Sequence, residues 1–422
     1  MEDMLAGNLE GIMIFLIIIS LITLSNLIYL RPLLPVSIGN LPYFNSRNFS
    51  SNIQALPRVS ILIPARNEEK NIGCCLDSIL FQDYPSLEII VLDDNSTDST
   101  GAILQKYMNT PQKDNKNFHS ITLLQGQKLP CAWTGKNWAC HQLALEATGE
   151  LILFVDADTT LNTQAVSTAV GKISENNLDL VSFIPKQKMV SWAEKFVVPL
   201  IFWSVMFFMP LVLAYRLKIS KLAMGVGQFI MFNHKTYKKL GGHEAIKEKI
   251  VDDIAMVRHF KQHRARWAIF NGVKLVSCRM YSNFKQTWEG FTKNLFGFFD
   301  YFLLPYLFIW GWLLFTFLFP LIILFIALGN SIIPVLSGSI SDFTIASISS
   351  ITGEVQIRAV MAVFLSLIIW ATVNITFHIP FRMTFIYPVS IFLTSLIAFN
   401  SALQYFRGGI TWKGRNLLRK VS

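Results

Sequence analysis

Two aspartates that follow an apolar run are the residues in this chain best placed to do chemistry. The run 151–155 has the length of a buried strand and leads directly into Asp156 and Asp158. Since residues i and i+2 of a strand point to the same face, the two carboxylates are expected to project together. Converging carboxylates suit Mg²⁺ or Mn²⁺, which bridge protein carboxylates to substrate phosphates. A strand that simply ends in a polar turn is the alternative, because aspartate is common in turns.

Other charged groups recur at comparable positions along the chain. They are Asp93-Asp94 after a second apolar run, Gly135-Lys136 before a helical segment, and Asp252-Asp253 far downstream. Asp94 could instead cap the helix that follows it, because its neighbours are rich in Asp, Asn, Ser and Thr. The three acidic pairs and the lysine become a site only if the fold brings them together.

An alternation of strands and helices supplies that fold. The sequence predicts strands at 59–64, 87–92, 120–124 and 151–155, and helices near 72–80, after 100, and at 137–147. This alternation is typical of an α/β domain with a parallel sheet of the nucleotide-binding type. Ligands of such sheets bind outside the carboxyl ends of the strands, where the acidic pairs are expected.

The composition predicts a membrane protein. Hydrophobic residues make up 52% and charged residues 15% of the 422 residues, compared with about 25% charged residues in ordinary soluble domains. Candidate spans of about 20 residues lie at 12–30, 303–328, 357–376 and 384–404. The predicted organisation is an anchor (1–31), a linker (32–56), a catalytic domain (57–295), transmembrane helices (296–405) and a basic tail (406–422).

The distribution of charge predicts an orientation. Acidic residues but no Lys or Arg precede the first span, and Arg31, Arg47 and Arg58 follow it, which places the catalytic domain in the cytoplasm. The number of C-terminal spans stays open between three and four. Three would put the basic tail outside, against the positive-inside bias, whereas a break at Pro320 would give four and a cytoplasmic tail.

The apolar segment 196–217 has the hydropathy of a span but is predicted to lie at the membrane surface. If it crossed, Asp156 and Asp158 would be separated from Asp252-Asp253 by the bilayer. Pro199 and Pro210, together with the aromatic residues, suit interfacial helices.

The net charge of +10 bears on the binding partner, and the five cysteines bear on the compartment of the protein. Nucleic acid is not expected as a partner, because no nucleic-acid motif accompanies the charge. An anionic leaflet and a phosphorylated substrate explain it better. The odd number of cysteines, without a C-x-x-C pair, indicates reduced thiols in a cytoplasmic domain.

The order and spacing of these groups resemble the family 2 glycosyltransferases with a GT-A fold. Further matches are similar to its membrane-bound branch of carotenoid (diaponeurosporenoate- and chlorobactene-type) and hopene-associated glycosyltransferases. They are Pro64-Ala65-Arg66-Asn67-Glu68-Glu69, Trp133-Thr134-Gly135-Lys136, Gly241-Gly242-His243, Arg279-Met280-Tyr281 and Trp412-Lys413-Gly414-Arg415. The resemblance covers about 58–295 as a domain, and as a set these motifs are specific.

The resemblance implies a donor site for a nucleotide sugar. The residues implied in donor binding are Pro64, Arg66, Glu68, Asp94, Lys136 and Asp156. Glu68 and Asp94 would hold the ribose and base, and a carboxylate can accept hydrogen bonds from both. Lys136 would act as a point charge on the base or diphosphate. Asp158, with Asp156, would hold the metal that neutralises the leaving diphosphate.

The resemblance also implies a base and an acceptor region. Asp253 would take the proton of the acceptor, although Asp252 stays a candidate because some relatives keep an acid only at that position. Residues implied near the acceptor or diphosphate are Gly227, Gln228, His243 and Arg266. One departure is His263, which stands where many relatives have the Gln of Q-x-x-R-W, a motif associated with processive synthases.

The sequence therefore predicts an integral-membrane inverting glycosyltransferase that is metal-dependent. It would move a hexose, glucose by preference, from a UDP-sugar to a lipid-soluble acceptor from the bilayer. A carotenoid is the first expectation, and a hopanoid, sphingolipid or glycerolipid is the alternative. A processive polysaccharide synthase is a further alternative that the altered Q-x-x-R-W disfavours.

Overall fold

The computed structural model describes residues 2–40, 56–109, 121–337 and 353–416. Most of the expected linker (41–55) and the end of the basic tail (417–422) lie outside the described residues.

The strands of the described residues form one large sheet, one small sheet and a hairpin. They are β1 (Val59–Ala65), β2 (Leu87–Asp93), β3 (Ile121–Gln125), β4 (Leu151–Val155), β5 (Thr159–Leu161), β6 (Leu180–Ile184), β7 (Lys186–Gln187), β8 (Phe229–Asn233), β9 (Trp267–Asn271), β10 (Val276–Cys278), β11 (Thr411–Trp412) and β12 (Arg415–Asn416). The large sheet has the order β3-β2-β1-β4-β8-β6-β9, and the small one β5-β10-β7. Strands β1 to β4 are parallel, whereas β8 runs antiparallel to β4 and β6.

The helices alternate with these strands as predicted. They are α1 (Glu2–Tyr29), α2 (Ile72–Leu80), α3 (Thr100–Asn109), α4 (Gly135–Glu146), α5 (Ala165–Asn176), α6 (Trp192–Val197), α7 (Leu200–Phe208), α8 (Leu211–Arg216), α9 (His234–Lys239), α10 (Asp252–Gln262), α11 (Phe284–Phe298), α12 (Leu303–Ser337), α13 (Gly353–Thr376) and α14 (Tyr387–Phe406). This architecture confirms the predicted α/β catalytic domain of GT-A type.

Strand β4 shows why the sheet forms here. Every residue of Leu151–Val155 is at most 4% exposed, because both faces of the strand are covered. Ile152 and Phe154 face a core that also contains Trp203 and Trp370, while Leu153 and Val155 face a second core. Since Trp370 belongs to α13, the catalytic domain and the membrane helices share one continuous hydrophobic core.

The segment 196–217 is divided between α6, α7 and α8. Pro199 and Pro210 stand immediately before α7 and α8. The longest of the three, α7, has nine residues, or about 14 Å at 1.5 Å per residue, well short of the ~30 Å hydrocarbon core. Strands β6 and β8, which flank the segment, are neighbours in the sheet. The chain therefore leaves and rejoins the same face of the membrane.

A buried asparagine of α1 supports the break between α7 and α8. The Asn26 amide donates to the carbonyl oxygens of Val205, Met206 and Met209 at 3.2, 3.2 and 2.7 Å. Its oxygen accepts from the backbone N–H of Leu211 at 3.1 Å. Pro210 has no N–H for the carbonyl oxygen of Met206, so Asn26 supplies hydrogen-bond partners at the break, whereas the carbonyl oxygen of Val205 also keeps its helical partner, the N–H of Met209, at 3.3 Å.

Four helices of the described residues are long and apolar enough to span a membrane: α1, the part Leu303–Leu328 of α12, α13 and α14. They agree with the four predicted spans. Helix α12 continues through Pro320, so the alternative of a fourth C-terminal span, made by breaking the helix there, is wrong.

The contacts of α14 place its two ends at different depths of the helical layer, with the last end beside the catalytic domain. The ring of Tyr387, its first residue, lies 5.8 Å from the ring of Trp370 and 5.8 Å from that of Phe317. Near its other end, Tyr405 stacks at 4.3 Å on Tyr301, which directly follows the catalytic domain. Phe317 is about 21 Å along α12 from Leu303 at 1.5 Å per residue. Helix α14 therefore runs from within the helical layer back to the catalytic domain.

This path changes the expected relation between span count and tail. Helix α14 runs antiparallel to α12, from the level of Phe317 to that of Tyr301. The described part of the tail therefore follows on the side of the catalytic domain, although three C-terminal helices of the described residues have spanning length. The sequence-based alternatives were three spans with an outside tail and four spans with an inside tail. They did not include three helices of spanning length with a tail on the side of the catalytic domain.

Candidate active site

The turn between β4 and β5 carries Asp156 and Asp158 to the carboxyl edge of the sheet. Asp156 directly follows β4, and Asp158 directly precedes β5. The backbone N–H of Thr159 closes the turn by donating to the carbonyl oxygen of Asp156 at 3.0 Å. The two carboxylates thus leave from a turn, which corrects the expected strand geometry. Both nevertheless line the same pocket of about 240 Å³.

Lys136 joins two of the acidic groups. It lies in the first turn of α4, which Thr134 caps by accepting from the N–H of Asn137. Its Nζ lies 3.0 Å from Oδ1 of Asp156 and 3.2 Å from Oδ2 of Asp252. Burial lowers the pKa of Lys136, but these two carboxylates more than compensate and hold it well above its ordinary value. Lys136, which stays positively charged, thus links Asp252 to Asp156 by two ion pairs.

Asp252 and Asp253 open α10, and their environments differ. Asp253 accepts hydrogen bonds from the N–H groups of Gly227 at 3.0 Å and Ile254 at 2.8 Å. Burial, with the charge of Asp252, raises the pKa of Asp253 to about 6. Burial acts on Asp252 as well, but the charge of Lys136 outweighs it and the pKa of Asp252 is lowered. A carboxylate with a pKa near the working pH suits a general base, so Asp253 is the better proton acceptor.

Asp156 and Asp158 are two nearby, partly buried carboxylates, and a divalent cation would reduce the repulsion between their charges. Burial, together with the charges of Asp156 and Glu68, raises the pKa of Asp158 to about 7. The thiol of Cys278 donates to Oδ1 of Asp158 with an S···O distance of 3.3 Å. The described residues contain no group of three or more His, Cys, Asp or Glu placed to hold a metal. Two carboxylates fit Mg²⁺ that shares its remaining coordination with substrate phosphates and water.

The loops after β1 and β2 form the opposite wall of the pocket. Arg66 donates to the carbonyl oxygens of Asp94 at 2.5 Å and Asn95 at 3.1 Å, which ties the two loops together. Helix α3 begins only at Thr100, whose N–H is accepted by Asp98. Asp94 is therefore not the cap of this helix, and its carboxylate is directed into the pocket.

The hairpin β11–β12 enters the same pocket from the C-terminal end of the chain. Arg415 forms a bidentate pair with Asp94 at 2.5 and 3.0 Å. Lys413 donates to the carbonyl oxygen of Arg66 at 2.8 Å and to the carboxylate of Glu68. The sequence identified this motif only as part of a family resemblance and placed it in a tail with no role at the site. Two cations in a motif outside the domain were the signal that could have revealed it.

Lys293 of α11 is a second residue that sequence reasoning missed. It lines the pocket, and burial, with the nearby charge of Lys136, lowers its pKa to about 8. Its signal in the sequence was a lysine in the middle of an aromatic helical segment next to the membrane spans.

The structure gathers most, but not all, of the predicted site residues. Those that line the pocket are Pro64, Arg66, Glu68, Asp94, Lys136, Asp156, Asp158, Gly227, Gln228, Asp252 and Asp253. His243 lines a smaller adjoining cavity and donates to or accepts from the Tyr237 hydroxyl at 2.6 Å. Burial lowers the pKa of His243 to about 3, so its ring is neutral.

The expectation that Arg266 touches the diphosphate is wrong for this structure. Arg266 directly precedes β9, and β9 runs parallel to β6, so it lies at the amino edge of the sheet, opposite the pocket. Its backbone N–H donates to Asp179 at 2.8 Å. The chain direction of the strand, which was not assigned from the sequence, decides this placement.

The chain resembles known proteins at the level of sequence. Residues 60–241 match the sequence model of "Glycosyl transferase family 2". A 4,4'-diaponeurosporenoate glycosyltransferase from Staphylococcus aureus (strain USA300) is 30% identical over 246 residues, 56% of this chain and 60% of that protein. The chain thus spans about three fifths of the length of the curated relatives it matches.

Solved structures resemble the chain more distantly. One is a mannosyltransferase from Pyrobaculum calidifontis in complex with GDP-Man and Mn²⁺, with 15% identity and a TM-score of 0.47 over 93% of this chain and 99% of that one. Another is a glucosyl-3-phosphoglycerate synthase from Mycobacterium tuberculosis with Mn²⁺, UDP and phosphoglyceric acid. It has 17% identity and a TM-score of 0.40 over 64% and 86% of the two chains. Similarities this distant carry no argument about substrate or metal. The sequence matches and the acidic edge of the sheet agree that residues 60–241 of this chain form a domain similar to glycosyltransferase family 2.

Proposed function

We propose that this chain is an inverting hexosyltransferase that uses a UDP-sugar, glucose by preference, on the cytoplasmic side of a membrane. The acceptor is a lipid-soluble molecule with a free hydroxyl or carboxyl group, and a carotenoid is our first choice. The observation that carries the proposal is the convergence of Asp156, Asp158, Lys136 and Asp253 in one pocket beside membrane-spanning helices.

The two ends of the pocket bind different parts of the donor. Asp94 and Glu68 lie on the wall where the base and ribose of a donor can be held by carboxylate acceptors. Asp156 and Asp158 lie where the diphosphate would follow, and they fit a shared Mg²⁺ or Mn²⁺. That ion, when bound, neutralises charge on the leaving diphosphate.

Asp253 and Lys136 act on the reacting centre. Asp253 accepts the proton of an attacking acceptor hydroxyl, and the N–H groups of Gly227 and Ile254 hold its carboxylate in place. Lys136 holds Asp252 and Asp156 near each other, and its charge lowers the pKa of Asp252. Attack from the side of Asp253, with the diphosphate leaving on the side of Asp156 and Asp158, inverts the sugar carbon.

A lipid acceptor follows from the continuity of the cores. The pocket is lined on one side by Ile250, Val251, Met280 and Tyr281. Helix α11, which carries Lys293 and Asn294 into the same pocket, packs on α14 through Ser401, whose hydroxyl accepts from the N–H of Phe296 at 3.0 Å. This partly apolar wall beside the membrane helices supports an acceptor delivered from the bilayer. The name of the S. aureus relative, a carotenoid acid glycosyltransferase, favours a carotenoid among such molecules.

The test uses membranes that contain the full chain, with and without carotenoids, and labelled UDP-glucose. We expect label in the carotenoid fraction only when both the chain and the carotenoid are present. UDP-galactose and GDP-mannose, supplied in parallel, determine the sugar and the nucleotide. Asp253→Asn provides the inactive control.

Two outcomes would separate the parts of the proposal. Label that enters only polar lipids or polymer would reject the carotenoid and favour a hopanoid, sphingolipid or glycerolipid acceptor, or a synthase. Transfer that persists in both Asp253→Asn and Asp158→Asn would reject the assigned mechanism.

A further inference from the structure

The C-terminal hairpin is built to present two cations side by side. Its two-residue turn, Lys413-Gly414, has φ angles of 44° and 77°. Positive φ at both positions is the requirement of a type I′ turn, which matches the twist of the strands it joins, and glycine at the second position meets it easily. Trp412 pairs with Arg415 across the hairpin. The turn therefore holds Lys413 and Arg415 close together at the tip of the hairpin.

The hairpin is held close to the pocket by the end of α14. The N–H groups of Gly408 and Gly409 donate to the carbonyl oxygens of Tyr405 and Gln404 at 3.0 and 2.9 Å, which closes the helix. Gly408 adopts a φ of +66°, as glycine commonly does after a helix. Four residues, 407–410, connect the end of α14 to β11. A short connection of this kind limits the hairpin to the mouth of the pocket.

The fit of Arg415 against α4 is close. A Cβ atom at Gly135, the first residue of α4, would collide with the guanidinium of Arg415. The carboxylate of Asp94 is 7% exposed and that of Glu68 is 14% exposed. The hairpin thus covers the wall of the pocket that the proposed donor requires.

The charges that line the pocket show what the hairpin contributes. The six carboxylates are Glu68, Asp94, Asp156, Asp158, Asp252 and Asp253. The five cations are Arg66, Lys136, Lys293, Lys413 and Arg415. Without the hairpin, three cations would face six carboxylates, and an anionic diphosphate would meet a strongly acidic wall even when a divalent metal accompanies it.

We propose that the C-terminal hairpin is part of the donor site, and that Lys413 and Arg415 bind the diphosphate of the nucleotide sugar. In the donor-free protein they pair with Glu68 and Asp94. Donor binding engages these two carboxylates with base and ribose, which releases the cations for the phosphate oxygens. Guanidinium groups bind phosphate in the same bidentate manner as carboxylate, so Arg415 exchanges one partner for another.

This inference rests on the proposed donor class, but it is tested without an acceptor. The full chain in detergent with Mg²⁺ is titrated with UDP and with uridine, which lacks the diphosphate. Arg415→Ala and Lys413→Met are expected to weaken UDP binding by about 10- to 100-fold each, the range of a lost charge-assisted hydrogen bond. Uridine binding should not weaken, because removal of a cation leaves the carboxylate of Glu68 or Asp94 available to the base and ribose.

Two further variants control for charge and for folding. Arg407→Ala removes an exposed cation of the same tail that does not line the pocket, and it should bind UDP like the unmodified protein. Arg415→Lys keeps the charge but loses the bidentate geometry, and its affinity for UDP should be intermediate. A monodisperse elution profile for each variant shows that the protein is folded.

The outcomes of the titration distinguish the role of the hairpin from the class of the donor. Unchanged UDP affinity in both hairpin variants would overturn the inference and leave the proposed function intact. Tighter UDP binding would also overturn it, because the hairpin would then be a plug that the donor must displace. Equal weakening for UDP and uridine would assign the hairpin to the base wall rather than the diphosphate. If the unmodified protein bound neither UDP nor GDP, the donor class itself would be wrong.

Discussion

Replacing Asp253 with asparagine is expected to stabilise the protein while it abolishes transfer. Asp253 has a raised pKa because the folded protein buries its charge beside Asp252. Its neighbour Asp252 is the matched control, because Lys136 lowers the pKa of Asp252. The two substitutions remove the same charge from adjacent residues, yet they should change stability in opposite directions.

The size of the effect follows from the pKa of about 6, compared with the ordinary value of 3.8. A shift of about 2 units corresponds to about 3 kcal/mol between the protonated and ionised forms. The folded protein binds the proton more tightly, so its stability falls as the pH rises from about 4 to about 6. An asparagine avoids that cost, but its NH₂ group faces one of the N–H donors of Gly227 and Ile254. This contact between two donors reduces the gain in the free energy of unfolding by about 1 kcal/mol. A net gain of about 1–2 kcal/mol is expected at pH 8, and almost none at pH 4.

Thermal unfolding of the full chain in detergent measures this difference. Each kcal/mol should shift the Tm by about 2–4 °C in a domain of this size. At pH 8, Asp253→Asn should raise the Tm, whereas Asp252→Asn should lower it because Lys136 loses a partner. Transfer should fall by about 10²- to 10⁴-fold in Asp253→Asn, the usual contribution of a general base.

The pH dependence of the unmodified enzyme supplies a second readout. Because the base must be ionised, transfer should decline about tenfold for each pH unit below about 6, the pKa of Asp253. A lower Tm for Asp253→Asn at pH 8, or transfer within about tenfold of normal, would refute the assignment of a buried, destabilised base.

Three further perturbations follow from contacts elsewhere in the structure. Asn26→Leu should lower stability by about 2–5 kcal/mol, because it leaves buried backbone groups between α7 and α8 without partners; a small Tm change would show that water replaces them. Arg279→Leu should cost about 1.5–3 kcal/mol, since Glu194, 1% exposed, loses its charged partner at 3.0 Å; Arg279→Lys should recover part of the Tm. Chelation with EDTA should stop transfer and either Mg²⁺ or Mn²⁺ should restore it, while Asp158→Asn should raise the metal concentration needed; full activity in EDTA would contradict a metal-assisted reaction.

Much of the fold and part of the site could be read from local sequence. The predicted strands at 59–64, 87–92 and 151–155 differ from the observed ones by at most one residue at an end. Continuous apolar runs bounded by polar turns specify buried parallel strands regardless of what packs on them. The positions of Asp94, Asp156 and Asp158 at strand ends follow from the same pattern, because carboxyl ends of parallel strands share one edge.

The placement of Arg266 and of the C-terminal tail could not be read in the same way. Arg266 lies beside a strand whose order and direction in the sheet depend on long-range pairing with β6. The tail was placed by counting spans, whereas α14, which is apolar and long enough to span, runs along α12 and α11 and ends beside the catalytic domain. Hydropathy measures how apolar a helix is and contains no information about where its two ends are held.

The sequence by itself determined that this chain has an α/β domain with two acidic pairs, Asp93-Asp94 and Asp156/Asp158, at strand ends that share one edge of a sheet, and apolar helices on both sides of that domain. Composition and periodicity suffice for this, because they act within a few residues. Only the tertiary structure decided that Lys136 joins Asp156 to Asp252, that Asp253 rather than Asp252 has a raised pKa, and that Lys413 and Arg415 reach the site from the far end of the chain. Each of these depends on a distance between residues remote in sequence, which packing sets and local pattern does not.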